Sequence, residues 1–398
     1  MLDVLQDWLS LFIRWAHVVA GIGWIGSSFY FMWLDVSLKR AANSPDGVKG
    51  ESWSVHGGGF YHVQKYAVAP EQMPADLYWF KWESYLTWLS GFALITVTYY
   101  WSASSYLIDR SVADLVPWQG IAISIAGLAL GWVFYDLLCK SALKANPPLM
   151  FAVLFAAIVI AAWGFGHLLS ARATFLQIGA MIATLMTGNV FMVIIPNQKI
   201  VVADLKAGRI PNPKYGEIAK LRSTHNNYLT LPVLFMMISN HYPMTFGHEW
   251  NWVIVAIVLA LGAIIRDWFN RHEAGQHGIA IQWQWPASAV LAVSLIAFST
   301  WKPSGEVIVA DPVFTPDALA IAQTRCIACH SATPTSEDFD EAPGGVMFDT
   351  ADQLKSHAQK VLAQSVLTET MPLGNLTEMT ADERARLGAW IRAGMPDE

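Results

Sequence analysis

The chain has 398 residues, 54% of them hydrophobic and only 14% charged, where a soluble domain carries about a quarter charged residues. That balance excludes an ordinary soluble enzyme and points to a membrane protein. A net charge of −6 without any long basic run offers nothing to neutralise phosphates, so nucleic acid is excluded as a partner.

Apolar segments near the roughly 20 residues that a membrane helix needs run from Leu9 to Trp33, Tyr85 to Trp101, Gly120 to Leu138, Leu149 to Leu169, Phe175 to Pro196, Trp252 to Phe269 and Trp283 to Trp301. A further segment, from about Thr224 to Tyr242, is shorter, more polar and carries Pro232. The first segment is not a cleaved signal peptide, because its n-region is acidic (Asp3, Asp7) and no small-residue cleavage site follows. Tryptophans close many of these runs (Trp79, Trp82, Trp101, Trp118, Trp252, Trp268, Trp283, Trp301), where an amphipathic ring suits the headgroup level.

Lysine and arginine are enriched in cytoplasmic loops, and alternate loops separate on that count. One set holds Lys39, Arg40, Lys49, Lys65, Lys140, Lys144, Lys199, Lys206, Arg209, Lys214, Lys220, Arg222 and Arg271; the other holds only Arg110 and Arg172. The expectation is an all-α membrane bundle over 1–301 with eight transmembrane helices, N-out and C-out, in a bacterial inner membrane. Were the Thr224 to Tyr242 segment not to cross, the C-terminal tail would lie in the cytoplasm.

After Trp301 the composition turns polar and acidic. Residues 302–312 are expected to be a linker and 313–398 a separate small domain. That domain contains Cys326-Ile327-Ala328-Cys329-His330, the attachment signature of a c-type haem, in which both thiols bind the macrocycle and the adjacent histidine ligates iron. A zinc knuckle would need a second Cys or His pair, and the tail has only His357. A thioredoxin-like site would need strand patterning that the tail lacks. The second iron ligand should be a downstream methionine or histidine. Met371 before Pro372 suits that role, with Met347, Met379 and Met395 as competitors whose other reading is gap-filling. Thr380-Ala381-Asp382-Glu383 forms a capping box leading into Leu387, Trp390 and Ile391 on one helical face. Haem c is attached on the outer side of bacterial membranes, which agrees with the loop charges and puts this class I-like cytochrome c domain in the periplasm.

Ionisable groups inside apolar helices are costly and mark function by default. On this topology they form two tiers. His17, His167, His241 and His248 lie toward the outer face. His56, His62, Glu83, Asn189, Gln198, His225, Asn226, Asn227, Tyr228 and His272 lie toward the cytoplasm. For a residue at a helix end the competing reading is a hydrogen-bonded cap. His17 differs, because it lies within a bilayer-length apolar run where an unpaired imidazole is expensive. It either ligates a group or hydrogen-bonds between helices. Lone Cys139 is read as a small buried hydrophobe.

Six segments together, Trp15 to Asp35, His56 to Tyr66, Lys81 to Tyr99, Thr187 to Lys199, His225 to Pro232 and the haem-binding tail, make the chain resemble the bacterial integral-membrane urate oxidases, also called urate hydroxylases, with a fused C-terminal cytochrome c. The resemblance spans nearly the full length. It implies oxidation of urate to 5-hydroxyisourate, with electrons passed to the c-type haem and on to a respiratory acceptor such as a soluble cytochrome c or a terminal oxidase. A flat anion with amide edges calls for aromatic stacking, amide or arginine contacts and a base. On the cytoplasmic face, Phe60, Tyr61, Trp82, Tyr228, Asn226, Asn227 and Gln198 supply the first two, and His56, His62, Glu83 or His225 the base. A hydrocarbon layer about 30 Å thick separates that face from the tail, so a relay haem of b type ligated by His17 and His167 is expected. The alternatives are a haem-dependent oxidoreductase of a quinol or porphyrin precursor, and a cytochrome-linked transporter or redox sensor. No internal repeat of the kind transporters carry is evident.

Overall fold

A computed structural model describes residues 2–70, 72–279, 282–301 and 309–398. Most of the expected linker, at 302–308, lies outside the described residues. In chain order the secondary structure is α1 (Leu2–Ser37), β1 (Val48–His56), β2 (Gly59–Tyr66), α2 (Trp82–Ile95), α3 (Ala103–Tyr106), α4 (Pro117–Lys140), α5 (Pro147–Gly166), α6 (Ala171–Gly188), α7 (Ile195–Lys206), α8 (Pro213–Ser239), α9 (Pro243–Phe246), α10 (Asn251–Glu273), α11 (Gln284–Thr300), α12 (Thr315–Arg325), α13 (Ala351–Ser356), α14 (Ala358–Val361) and α15 (Ala381–Arg392).

Among the described residues five helical stretches are long and apolar enough to cross a membrane: Val4–Ser37, Pro117–Lys140, Pro147–Gly166, Ala171–Lys206 and Asn251–Glu273. The fourth joins α6 to α7 through a π-helical turn at Asn189–Ile194. The other three expected spans are helical but differ in length or polarity. α2 has 14 residues before a π-helical turn at Thr96–Tyr100. α8 runs 27 residues, polar in its first half, and α11 has 17. An all-α architecture is corrected at one place: β1 and β2 pair as an antiparallel hairpin with His56 opposite Gly59. Gly57 and Gly58 form its two-residue turn at φ +57° and +81°, the left-handed geometry that a tight hairpin demands of both central residues.

The chain divides into two compact units. The first comprises 1–94, 182–233 and 259–292. Along α1, Trp8, Leu11, Phe12, Trp15, Val18 and Ile22 are all exposed, an apolar stripe suited to hydrocarbon. α8 continues through Pro232, and α10 passes it at Gly262, where a Cβ would stand 2.7 Å from the proline Cδ. A side chain at 262 would force these helices apart.

The second unit comprises 95–181, 234–258 and 293–398. Its helical core is built on Tyr135, Met150, Ile158, Phe175, Phe246 and Ile254, all fully buried. α12 to α15 surround a separate core of Leu354, Leu387 and Trp390. The Thr380 hydroxyl caps the Glu383 amide while the Glu383 carboxylate takes the Thr380 amide, so the last helix starts where the sequence indicated. This tail sits against the helices of the same unit. Ser105 donates to Asp338, the Arg110 amide donates to the Gly374 carbonyl at 3.4 Å, and Gly247 passes Thr368 with no room for a side chain.

Candidate functional site

Two sets of polar side chains stand out, one in each unit. In the first unit α8 turns His225, Asn226 and Asn227 inward, at 1%, 9% and 2% exposure. Burial of this much polarity in an apolar bundle requires partners. Asn189, in the π-helical turn, donates to the Asn226 amide oxygen at 2.8 Å, and Asn226 donates to the Met186 carbonyl at 3.0 Å. Arg222 donates to the Asn189 amide oxygen. Asn227 accepts from both Arg266 (2.9 Å) and Asn270 (3.0 Å) on α10. Tyr228 donates to Asp267 at 2.9 Å. Asn226 therefore joins α8 to the π-helical turn after α6, Asn227 and Tyr228 join it to α10, and His225 is buried on the same helix.

The other cytoplasmic-tier residues take different places. His56, His62 and Phe60 are exposed on the hairpin; His62 stacks on Trp53 and pairs with Glu51 at 3.0 Å. Gln198 is exposed on α7. Glu83, half-buried at the start of α2, accepts from the Tyr78 hydroxyl at one oxygen, and its second oxygen is buried without a partner. His17 is half-buried on α1 and donates from Nδ1 to the Thr87 carbonyl at 3.0 Å. That bond leaves Nε2 with its lone pair, the form in which imidazole ligates a metal. Its ring lies against Gly91, where a Cβ would be 2.9 Å from Cε1. His167, in the second unit, is exposed with Nδ1 2.7 Å from the Trp163 carbonyl.

In the second unit Cys326, Cys329, His330 and Met371 line one cavity of about 500 Å³, within the usual range for a ligand pocket. His330 donates from Nδ1 to the Val346 carbonyl at 2.9 Å and turns Nε2 free. Arg384 donates to the Met371 carbonyl at 2.6 Å, holding that loop. Of the competing methionines Met379 is in the tail core at 3% exposure, and neither it nor Met347 nor Met395 lines the cavity. Burial pushes the Cys326 thiol up to about 12 and the Cys329 thiol upward, which keeps both protonated. Among the described residues no three His, Cys, Asp or Glu side chains group as a metal site. Two thiols, one imidazole and one thioether around a cavity are a donor set that would fit a c-type haem. The bundle helices complete the wall with Tyr106, Arg172, His241 and Phe246.

Sequence reasoning missed Arg222, Arg266 and Asn270. The available signal was an arginine at position 266, inside the apolar run from Trp252 to Phe269, which is expensive in a membrane helix unless it serves a purpose.

Residues 3–300 match the urate oxidase N-terminal family, a stretch that ends ahead of Cys326. No curated protein and no solved structure matches the chain.

Proposed function

The chain belongs to the urate oxidase N-terminal family, and from that membership we propose that it oxidises urate to 5-hydroxyisourate within a membrane and passes the electrons to a haem c carried by its own tail. The observation that carries the proposal is the coincidence, in one chain, of a family match over 3–300 with a cavity lined by both thiols of the CxxCH motif, its histidine and Met371. Urate and water yield 5-hydroxyisourate, two protons and two electrons. The protons need a base, and the electrons need an acceptor other than oxygen if no peroxide forms.

The polar groups of α8, bonded to the π-helical turn and to α10, supply the polar surface for a flat amide-edged substrate, with Asn226, Asn227 and Tyr228 as contacts. His225 and Glu83 are the candidate bases, His225 buried and Glu83 half-buried with one carboxylate oxygen buried. The exposed His56, His62, Phe60 and Gln198 could serve only as an entrance. Cys326 and Cys329 would hold haem c covalently and His330 and Met371 would ligate its iron, and the group would supply one-electron acceptor chemistry at that cavity. The Val346 carbonyl orients His330, and Arg384 fixes the Met371 loop. His17, with Nε2 free, is the candidate ligand of a b-type relay haem, and His167, on its own unit, is a second candidate. Eight spans, N-out and C-out, agree with the alternating loop charges and keep the tail in the periplasm, where a soluble cytochrome c or a terminal oxidase could collect the electrons.

Anaerobic mixing of the purified protein with urate tests the reading. The absorption bands of reduced haem c should appear without oxygen and without peroxide. A fully haem-loaded protein that stays oxidised under excess urate would end it.

A further inference from the structure

Arg266 is a buried cation that no carboxylate among the described residues pairs directly. At 4% exposure on α10, its Nε donates to Asn227, its Nη2 lies 3.1 Å from the Met32 thioether, and its plane rests on the Phe29 ring at 4.5 Å. A thioether is a weak acceptor and a ring face only partly offsets a charge. Among the described residues no carboxylate lies within ion-pair distance, and no acceptor meets Nη1. The neighbouring Asp267 is occupied by Tyr228, Arg271 and Gln284. Glu273, whose Oε2 is buried without a hydrogen bond among the described residues, favours the Arg266 charge from beyond ion-pair distance. A guanidinium in an apolar bundle is normally paired, because an uncompensated buried charge is strongly destabilising.

The groups around it are left half-satisfied in a particular way. Asn227 accepts both of its bonds at Oδ1, so its orientation is fixed by two donors, and its Nδ2 is buried with no acceptor. Asn270 spends its Nδ2 on Asn227, and its Oδ1 is buried with no donor. One cation, one amide donor and one amide acceptor are thus joined through shared hydrogen bonds, each with capacity unused. Orphaned buried groups in such a set are the mark of a missing ligand, and their complement is an anion carrying an amide edge.

We propose that Arg266, Asn227 and Asn270 form the anion-recognition end of the substrate site. Arg266 neutralises the charge of the urate monoanion, while Asn227 and Asn270 take a C=O and an N–H of one of its edges. This rests on the urate reading above and adds to it the residues that select a charged oxopurine over a neutral one. Arg266 is a binding residue, and the candidate bases remain His225 and Glu83.

The test uses full-length, haem-loaded protein in detergent. Urate binding is measured at equilibrium on protein reduced beforehand with dithionite, where no oxidised acceptor remains and no turnover can occur, and KM is measured anaerobically from the rate of haem c reduction. Arg266→Gln should raise both Kd and KM by about tenfold or more, as loss of a charge-assisted contact does, with haem content and spectra unchanged. Arg266→Lys should recover part of the loss. Kd and KM within about twofold of wild type in Arg266→Gln would overturn the assignment and leave a hydrated structural network in its place. Should that variant fail to accumulate, Asn270→Leu decides in the same assay, since it leaves Arg266 and Asn227 bonded to each other; an unchanged Kd there overturns the assignment equally. Wild-type protein that neither binds nor oxidises urate would remove the urate reading and this one together. Wild-type activity with unaffected variants would remove this one alone.

Discussion

Gly374 lies so close to Ser104 that a Cβ on the glycine would stand 2.6 Å from the Ser104 carbonyl oxygen and 3.0 Å from that of Ile108. Its φ of +55° adds a second reason for glycine. Backbone atoms cannot yield as a side-chain tip can, so Gly374→Ala must lift the loop that follows Met371 away from the helices. The expected cost is about 1–3 kcal/mol from overpacking. Thermal unfolding should fall, and the haem c spectrum should change with it. An unshifted melting curve would show that this contact does not hold the tail.

Met371 should be the methionine on the haem iron, because it lines the thiol-bearing cavity whereas Met379 is part of the tail core. Met371→Ala should abolish the weak sulfur-to-iron charge-transfer band in the red, and Met379→Ala should cost stability while leaving the band. The opposite pattern would exchange their roles.

His225 and Glu83 are expected to carry the proton chemistry. Alanine at either position should lower anaerobic urate oxidation by about a hundredfold or more, the usual contribution of general-base catalysis, with haem c spectroscopically normal. Wild-type turnover in both variants would return them to a structural role.

His17 should hold an acid-acetone-extractable haem beside the thioether-bound one. A pyridine haemochrome assay should find the two in comparable amounts, and His17→Ala should remove the extractable fraction only. Gly91→Ala, whose Cβ would press on the imidazole at 2.9 Å, should diminish it as well. Haem c alone in an active preparation would dispose of the relay and move the substrate site outward.

The sequence carried the periodic and capped elements well. Long apolar runs became helices, and Thr380 with Glu383 began the last one, because those signals are local and physical. The hairpin was hidden in plain alternation: only the pairing of Val55 with Phe60 and Trp53 with His62 turns Gly57 and Gly58 from a weak turn signal into a required one. α8 looked broken at Pro232, yet α10 offers Gly262 beside the ring, a compensation invisible without the neighbour. The candidate sites divided in the same way. Cys326, Cys329 and His330 are legible as a motif, whereas Arg266 sits in an apolar run and gains meaning only when Asn227, from another helix, is seen on its Nε. A single sequence says which side chains are polar but not which helix faces converge.

The walls of the thiol-lined cavity come partly from the tail and partly from Tyr106, Arg172, His241 and Phe246 of the bundle, and the tail is pinned beside them at Gly374, Thr368 and Asp338. A carrier domain on a leash would swing between donor and acceptor and would need a pocket complete in itself. Here the pocket is divided across the seam, so undocking would open it to water. Were haem c held in that pocket, the tail would work as a fixed terminal and not as a shuttle. Traffic away from it then depends on a second molecule arriving at its outward side.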